Sequence, residues 1–257
     1  MGTFLFNEII FGPVSSRRLG VSLGINLLPT DYKFCTFNCV YCECGWTLKS
    51  DKKIKLPTAA EVNEALEQVL EDYNQKGKTI DSITFAGNGE PTIHPDFEKV
   101  IDDTIASRNR FMPQALISVL SNASQLNKPK VTNALAKVDR NILKLDAGTE
   151  KTYQLINQAQ SHLKFDKIVD YLKNFQGNLI IQTLFIRGEH GGEKFDNTTE
   201  AEVSAWLKLL TEIKPKSVMI YPIERDTPEE KLEKIDHKTL RNIALRVEKL
   251  GFKAEMY

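Results

Sequence analysis

The chain has 257 residues, with Lys plus Arg and Asp plus Glu balanced at 34 each, 41% hydrophobic and 26% charged residues. That balance excludes, as descriptions of the whole chain, a strongly basic nucleic-acid binder and an acidic disordered polymer. It also offers no apolar run of about 18 residues to make a membrane-spanning helix.

The opening MGTFLFNEIIFGP has no basic n-region and no small-residue cleavage site, and Phe6 stands where a myristoylation signal wants Ser or Thr. The expectation is a cytoplasmic protein whose thiols stay reduced. Residues 21–27 read as the first strand, with Ser22, Gly24 and Asn26 on one face and Val21, Leu23, Ile25 and Leu27 on the other. The segment 33–45, KFCTFNCVYCECG, follows and holds all four cysteines: Cys35, Cys39, Cys42 and Cys44. Thiols packed this tightly in a reducing compartment read as metal or cofactor ligands before disulfides. Cys35, Cys39 and Cys42 are in C-x3-C-x2-C spacing. Three thiolates hold an inorganic cluster and leave one of its metal corners open, as a catalytic site does. Cys44 is either a fourth ligand or a free thiol, and all four together could hold zinc. Residues 49–55, KSDKKIK, form either a solvated loop or an anion-binding rim that includes Lys52 and Lys53.

Beyond this loop, apolar runs alternate with helical patterns. Thr58 with Glu61 is a capping-box pattern, and Thr199 with Glu202 another. Asp96 and Thr149 open further helices, and 165–175 and 236–250 are amphipathic, followed by Gly177 and Gly251 at stop positions. Strands are expected at 82–86, 116–120, 141–146, 179–186 and 217–221. With the first, they make six βα units, too few for a complete eight-stranded barrel. One strand face repeatedly carries polar groups: Ser118 with Asn122, Lys144 with Asp146, then Gln182 and Tyr221. A doubly wound sheet, covered on both sides, reads as nearly continuous apolar strands. The fold expected is therefore α/β, a partial (β/α)6 barrel of parallel strands with outer helices and a polar ligand site at the C-terminal strand ends. The chain reads as one domain: a core over about 15–225, an N-terminal extension at 1–14 and a C-terminal helical extension at 226–257. Lys144 is either an ion-pair partner of Asp146 or a catalytic amine with a depressed pKa, able to bind a carboxylate or form a Schiff base. The Gly-rich segment 187–197, RGEHGGEKFDN, is a candidate mobile lid with His190 as a candidate proton donor. His94, before Pro95, reads as a helix-start residue.

The cysteine spacing, with Tyr41 before the last of the three, resembles the signature of the radical S-adenosylmethionine superfamily. Gly87-Asn88-Gly89-Glu90-Pro91 resembles that family's Gly-Gly-Glu-Pro stretch after the second strand, with Asn88 in place of a glycine. LISVLSNAS at 116–124, NILKLDAG at 141–148 and SVMIYPIE at 217–224 resemble its third, fourth and sixth strands. The resemblance covers roughly residues 10–230. It implies a single [4Fe–4S] cluster on Cys35, Cys39 and Cys42, and S-adenosylmethionine bound against Tyr41, Gly87, Asn88, Gly89, Glu90, Asn122, Asp146, Gln182 and Tyr221. It also implies reductive cleavage to methionine and a 5′-deoxyadenosyl radical that abstracts hydrogen from a substrate. An electron would come from a donor such as flavodoxin or ferredoxin. FGPVSSRRLGVSLGINLL at 11–28 and IERDTP at 223–228 resemble more narrowly the proteins related to tRNA wyosine-base synthases, without the cysteines of those enzymes' second cluster. That resemblance implies tRNA as a substrate, with Arg17 and Arg18 in its motif; Lys52 and Lys53 of the lysine loop, and His190, are the further candidate substrate contacts. The competing readings are activation of a glycyl radical protein, chemistry on a small metabolite or peptide, and a non-enzymatic binding module. A monomer is expected.

Overall fold

Period-two alternation along the strands decides which face of the sheet meets the helices and which faces inward. The computed structural model describes residues 4–47, 54–160 and 162–257. In chain order the first elements are β1 (Ile10–Ser16), β2 (Gly20–Ile25), α1 (Ala59–Gln75), β3 (Ser82–Phe85), α2 (Phe97–Phe111), β4 (Leu116–Ser121), α3 (Pro129–Lys137), β5 (Arg140–Lys144) and α4 (Glu150–Asn157). Then come α5 (Phe165–Lys173), β6 (Ile180–Leu184), β7 (Ile186–His190), β8 (Glu193–Asp196), α6 (Glu200–Ile213), β9 (Ser217–Tyr221), β10 (Leu232–Lys234), α7 (His237–Lys249) and β11 (Lys253–Met256). The main sheet runs β1-β2-β3-β4-β5-β6-β9-β11. β1 and β2 are an antiparallel pair, and every other neighbouring pair in this sheet is parallel. It curls into a half-barrel with helices outside, the α/β architecture expected.

All six expected strands are present. Residues 179–186, expected as one strand, are a correction: the run breaks at Phe185, so β6 stays in the barrel and β7 turns away into a small antiparallel sheet ordered β10-β7-β8. An unbroken apolar run carries no mark of that change of sheet. The 226–257 segment holds α7, and β11 adds a further parallel strand beside β9.

Two apolar clusters divide the two faces. The larger packs Leu23, Ile25, Ile83, Phe85, Ile117, Val119, Leu143, Ile181 and Val218 against the helices. A fully buried Leu or Ile contributes roughly 1.5–3 kcal/mol, so this layer dominates stability. The smaller lies on the inner face: Leu19, Ile142 and Met219, with Leu120, Ile180 and Tyr257 packed on them. Its neighbour on the inner face is a hydroxyl ladder, with Ser22 2.7 Å from Thr84, Thr84 3.0 Å from Ser82 and Ser82 2.9 Å from Ser118.

The helix starts follow local chemistry. Thr58 and Glu61 complete a reciprocal capping box on α1. Thr199 caps α6, but Glu202 turns elsewhere: its carboxylate accepts from Gly148 N at 2.9 Å, Thr152 Oγ1 at 2.7 Å and the Thr149 hydroxyl. Thr149 and Asp236 cap α4 and α7, whereas Asp96 precedes α2 without a side-chain cap bond.

Candidate active site

The cysteine loop lies between β2 and α1 at the C-terminal side of the sheet. It is docked onto the loop after β3 by a one-residue parallel bridge between Phe34 and Gly89. Phe34 N donates to Asn88 O at 2.8 Å, and Glu90 N donates to Phe34 O at 3.2 Å. Gly89 has φ +142°, and a Cβ there would lie 1.9 Å from Phe34 O. Gly87 has φ +140°, and a Cβ there would lie 2.4 Å from Asn26 Oδ1. Only glycine meets both demands, positive φ and backbone approach. The Asn88 amide is used within the chain: Oδ1 accepts from Phe6 N at 2.9 Å, and Nδ2 donates to Phe6 O and Pro29 O, each at 2.8 Å. It ties the N-terminal strap to the site.

Glu90 is buried and faces inward to the chain. Its carboxylate accepts from Ser121 Oγ at 2.8 Å, Asn122 N at 2.6 Å, Thr92 N at 3.1 Å and the Thr92 hydroxyl. It clamps the loop after β3 to the loop after β4, and burial pushes its pKa up against those four donors.

Cys35, Cys39, Cys42 and Cys44 are all free thiols. Burial pushes Cys35 up to about 12 and raises Cys39. Cys42 is drawn down to about 5, first by hydrogen bonding with Cys44 and then by the charge of Lys33. Cys44 Sγ lies 3.5 Å from Gly87 O. Lys33 is buried and donates to Gly45 O at 3.0 Å. Burial would lower its pKa, but the thiolate charges of Cys42, Cys35 and Cys39 raise it. Asn122 Nδ2 reaches Cys35 Sγ at 3.5 Å, and Asn157 Nδ2 reaches Cys39 Sγ at 3.5 Å. Lys33 and Asn157 carry no motif of their own. Only the fold brings the end of α4 and the Lys33 ammonium to the same cysteine loop.

Among the described residues, no three His, Cys, Asp or Glu side chains converge as a mononuclear ion requires. A cubane asks something else, because each thiolate binds its own iron. Three soft donors in one loop, two of them within 3.5 Å of an amide N–H from Asn122 or Asn157, fit an iron–sulfur cluster.

Asp146 is the polar hub of the lumen. Its side chain is fully buried. Oδ2 accepts from Asn157 Nδ2 at 2.8 Å, from Lys144 Nζ at 3.3 Å and from the Tyr41 hydroxyl, and Oδ1 accepts from Leu184 N at 2.9 Å. Lys144 also donates to the Tyr41 hydroxyl and lies 4.9 Å from that ring's centroid. Of the two readings of Lys144, the ion pair with Asp146 is the one formed. Burial alone would lower the Lys144 pKa, but Asp146, followed by Tyr221 and Cys39, outweighs burial and raises it, in the direction opposite to that of the catalytic-amine alternative. Gln182 is buried beside Lys144 in register.

The other expected contacts are scattered. Arg18 lies over the Tyr221 ring at 4.7 Å, and Arg17 is 3.6 Å from Glu224. Both arginines thus join the turn after β1 to the far side of the half-barrel. His190 Nδ1 is 2.8 Å from Glu229, with Trp46 5.3 Å away. The candidate lid at 187–197 forms the β7–β8 hairpin, turned by Gly191 and Gly192 at φ +60° and +84°. Lys52 and Lys53 lie outside the described residues. His94 is a helix-start residue, with Nε2 2.7 Å from Pro57 O and Asp96 N donating to Nδ1 at 3.2 Å. A cavity of about 680 Å³ opens over the small sheet, but none of the cysteines lines it.

The chain is 32% identical over 212 residues to the UPF0026 protein MJ1312 of Methanocaldococcus jannaschii, covering 80% of this chain and 61% of that protein. It is 32% identical over 235 residues to a protein named GTPase Obg from Brachyspira hyodysenteriae, covering 90% of this chain and 32% of that protein. This chain therefore spans 32% and 61% of the lengths of these two relatives, less than two thirds of either. Among solved structures, a radical SAM methyltransferase from Sphaerobacter thermophilus superposes with a TM-score of 0.67 at 14% identity, over 92% of this chain and 65% of that one. Streptococcus suis SuiB bound to S-adenosylmethionine superposes with a TM-score of 0.62 at 17% identity, over 88% of this chain and 48% of that one. These likenesses concern the fold. The sequence profile of the Radical SAM superfamily matches residues 30–200, from the approach to the cysteine loop through the β7–β8 hairpin. The chain belongs to the Radical SAM superfamily, whose members use a [4Fe–4S] cluster and S-adenosylmethionine.

Proposed function

We propose that this chain holds a single [4Fe–4S] cluster on Cys35, Cys39 and Cys42 and uses it with S-adenosylmethionine to abstract hydrogen from a substrate at the C-terminal mouth of the half-barrel. The observation that carries this reading is the Phe34–Gly89 bridge, which sets the three-thiol loop against the Gly87–Gly89 backbone. When bound, the cluster and S-adenosylmethionine supply one-electron cleavage of the sulfonium and a hydrogen-abstracting radical. The chain's own residues do the rest. Cys35, Cys39 and Cys42 occupy three corners and leave the fourth for the methionine end. The backbone of Gly87 and Gly89 offers close approach to the methionine amino group. Asn122, Gln182 and Tyr221 line the route to the ribose and adenine, and Asp146 holds Tyr41 beside it. The apolar plug of Leu19, Ile142 and Met219 keeps water from the lumen floor. The electron comes from a flavodoxin or ferredoxin, the chain works as a monomer, and the reducing cytoplasm keeps the thiols available.

The rim supports a polypeptide substrate, such as a glycyl radical partner. Three of its described cations are matched by carboxylates: Lys234 lies 2.8 Å from Glu224, Arg225 2.7 Å from Glu43 and Lys231 2.7 Å from Glu189. A polyanion site presents cations free to meet phosphates. The tRNA reading draws support from the four lysines at 49–55 and from the motif around Arg17 and Arg18.

The test is anaerobic reconstitution with iron and sulfide, then dithionite and S-adenosylmethionine, with 5′-deoxyadenosine as the readout. The expected result is deoxyadenosine formation that Cys39→Ala abolishes. A reconstituted cluster with no deoxyadenosine, with or without cell protein or RNA added, overturns the reading. Stimulation by RNA that falls steeply with salt replaces the polypeptide with tRNA.

A further inference from the structure

We propose that two amide donors, Asn122 to Cys35 and Asn157 to Cys39, and the buried ammonium of Lys33 at the turn that closes on Cys42 together hold the cluster's reduction potential up, with Lys33 carrying the largest share. The inference rests on the cluster reading above. Asn122 serves Cys35 and Asn157 serves Cys39, each at 3.5 Å. Lys33 sits at the Cys42 turn: its ammonium donates to Gly45 O at 3.0 Å, and Gly45 N in turn closes that turn by donating to Cys42 O at 2.8 Å.

The two amides are oriented by their other bonds. Ser124 N donates to Asn122 Oδ1 at 2.9 Å, which fixes Nδ2 toward Cys35 and Thr36 Oγ1. Asn157 Nδ2 also donates to Asp146 Oδ2 at 2.8 Å, so an amide flip would set an oxygen against that carboxylate. The three donors come from separate places: the approach to the cysteine loop, the loop after β4 and the end of α4.

Lys33 is the more telling member. It is 3% exposed, and a buried ammonium is costly unless a negative group compensates it. Its bond to Gly45 O keeps the ammonium at the turn that closes on Cys42, inside the loop that carries the three thiolates. The couple in question takes one electron from the external donor, moving the cubane from the 2+ to the 1+ state with no bond made or broken. That electron adds negative charge to a site already bearing three thiolates. Hydrogen bonds to the sulfurs and a buried cation stabilise the reduced form more than the oxidised one, and so raise the potential.

The test is an EPR-monitored redox titration of the reconstituted full chain, with iron and sulfide counted per chain. Lys33→Met should lower the ratio of reduced to oxidised cluster at a fixed potential by about tenfold, or about 59 mV for a one-electron couple. Lys33→Arg should restore most of it. Asn122→Asp, which replaces the donor with an anionic oxygen, should move the potential the same way by about threefold or more. Should Lys33→Met hold no cluster, Asn122→Asp decides alone. Potentials unchanged within about twofold in cluster-replete variants overturn the proposal. A wild-type chain that assembles no cubane overturns the cluster reading instead, so the two failures are distinct.

Discussion

Asp146 shows how one carboxylate can order a site. It receives four donors and holds Tyr41, Lys144 and Asn157 in place around Cys39. Removing it strands the Lys144 ammonium in a buried position, and breaking a buried pair from one side typically costs about 3–5 kcal/mol. Asp146→Ala should lose stability in that range by urea unfolding, and Lys144→Met clearly less, because Asp146 keeps its other three donors. The raised Lys144 pKa has a pH consequence. A raised amine contributes stability fully below its unfolded value of about 10.4, and that contribution is lost only as pH rises through the higher folded value. The pair should therefore persist through any ordinary assay pH, and borohydride with a carbonyl compound should leave Lys144 unlabelled; labelling there would restore the Schiff-base role. At this scale the sequence shows what is covalently close. Cys35, Cys39 and Cys42 are legible from spacing, and the Lys144–Asp146 pair from strand alternation. Lys33 and Asn157 are not, because their partners lie in other elements or across a loop.

Element boundaries carry their own signals where the chain must cap or turn. The Thr58–Glu61 box is reciprocal, with Glu61 N donating to Thr58 Oγ1 at 3.2 Å and Thr58 N to Glu61 Oε2 at 2.7 Å. Thr58→Ala should cost about 1 kcal/mol by thermal unfolding. The Glu61 pKa is lowered, first by the backbone bond from Thr58. A lowered carboxylate contributes stability above its usual value of about 4.3 and loses it as pH falls through the lower folded value. The stability gap between wild type and Glu61→Gln should therefore close in that acid window and be constant at neutral pH. Gly89 is where element geometry meets function. A side chain there faces both the φ of +142° and the Phe34 carbonyl 1.9 Å from its Cβ. Gly89→Ala should cost on the order of 3 kcal/mol and lower the iron bound per chain, because the cysteine loop can no longer bridge to the loop after β3. Full iron loading in that variant would show that the bridge is not what places the thiols. The β7–β8 hairpin was half legible. Gly191-Gly192 marks a primed turn, yet the polar composition around it reads equally as a loop.

For the molecule as a whole, the lumen is graded. The half-barrel follows from six βα units whose inner faces carry polar side chains, and that much is written in the strand periods. The closure is not. The turn after β1 crosses to β9 through Arg18 and Tyr221, and Leu19 and Tyr257 plug the lumen beside Ile142 and Met219. Those contacts join the two ends of the chain, a separation over which local periodicity carries no information. β1 and β11 went unread for a related reason. Each is an edge strand next to a stronger one, and their polar, mixed composition suits an edge rather than a buried position. The grading separates two kinds of substitution on one inner face. Ile142 is fully buried in the plug, so Ile142→Ala should cost about 2–4 kcal/mol from lost burial and the cavity left behind. Gln182 is paired in register with Lys144 and lies on the polar side. Gln182→Ala should hold the wild-type unfolding midpoint within about 0.5 kcal/mol, since among the described residues its side-chain amide has no hydrogen-bond partner to lose. It should instead weaken S-adenosylmethionine binding, read by equilibrium dialysis on the reconstituted protein. A large stability loss with unchanged binding would place Gln182 in the structural half of the lumen and move the ligand boundary toward Lys144 and Tyr41.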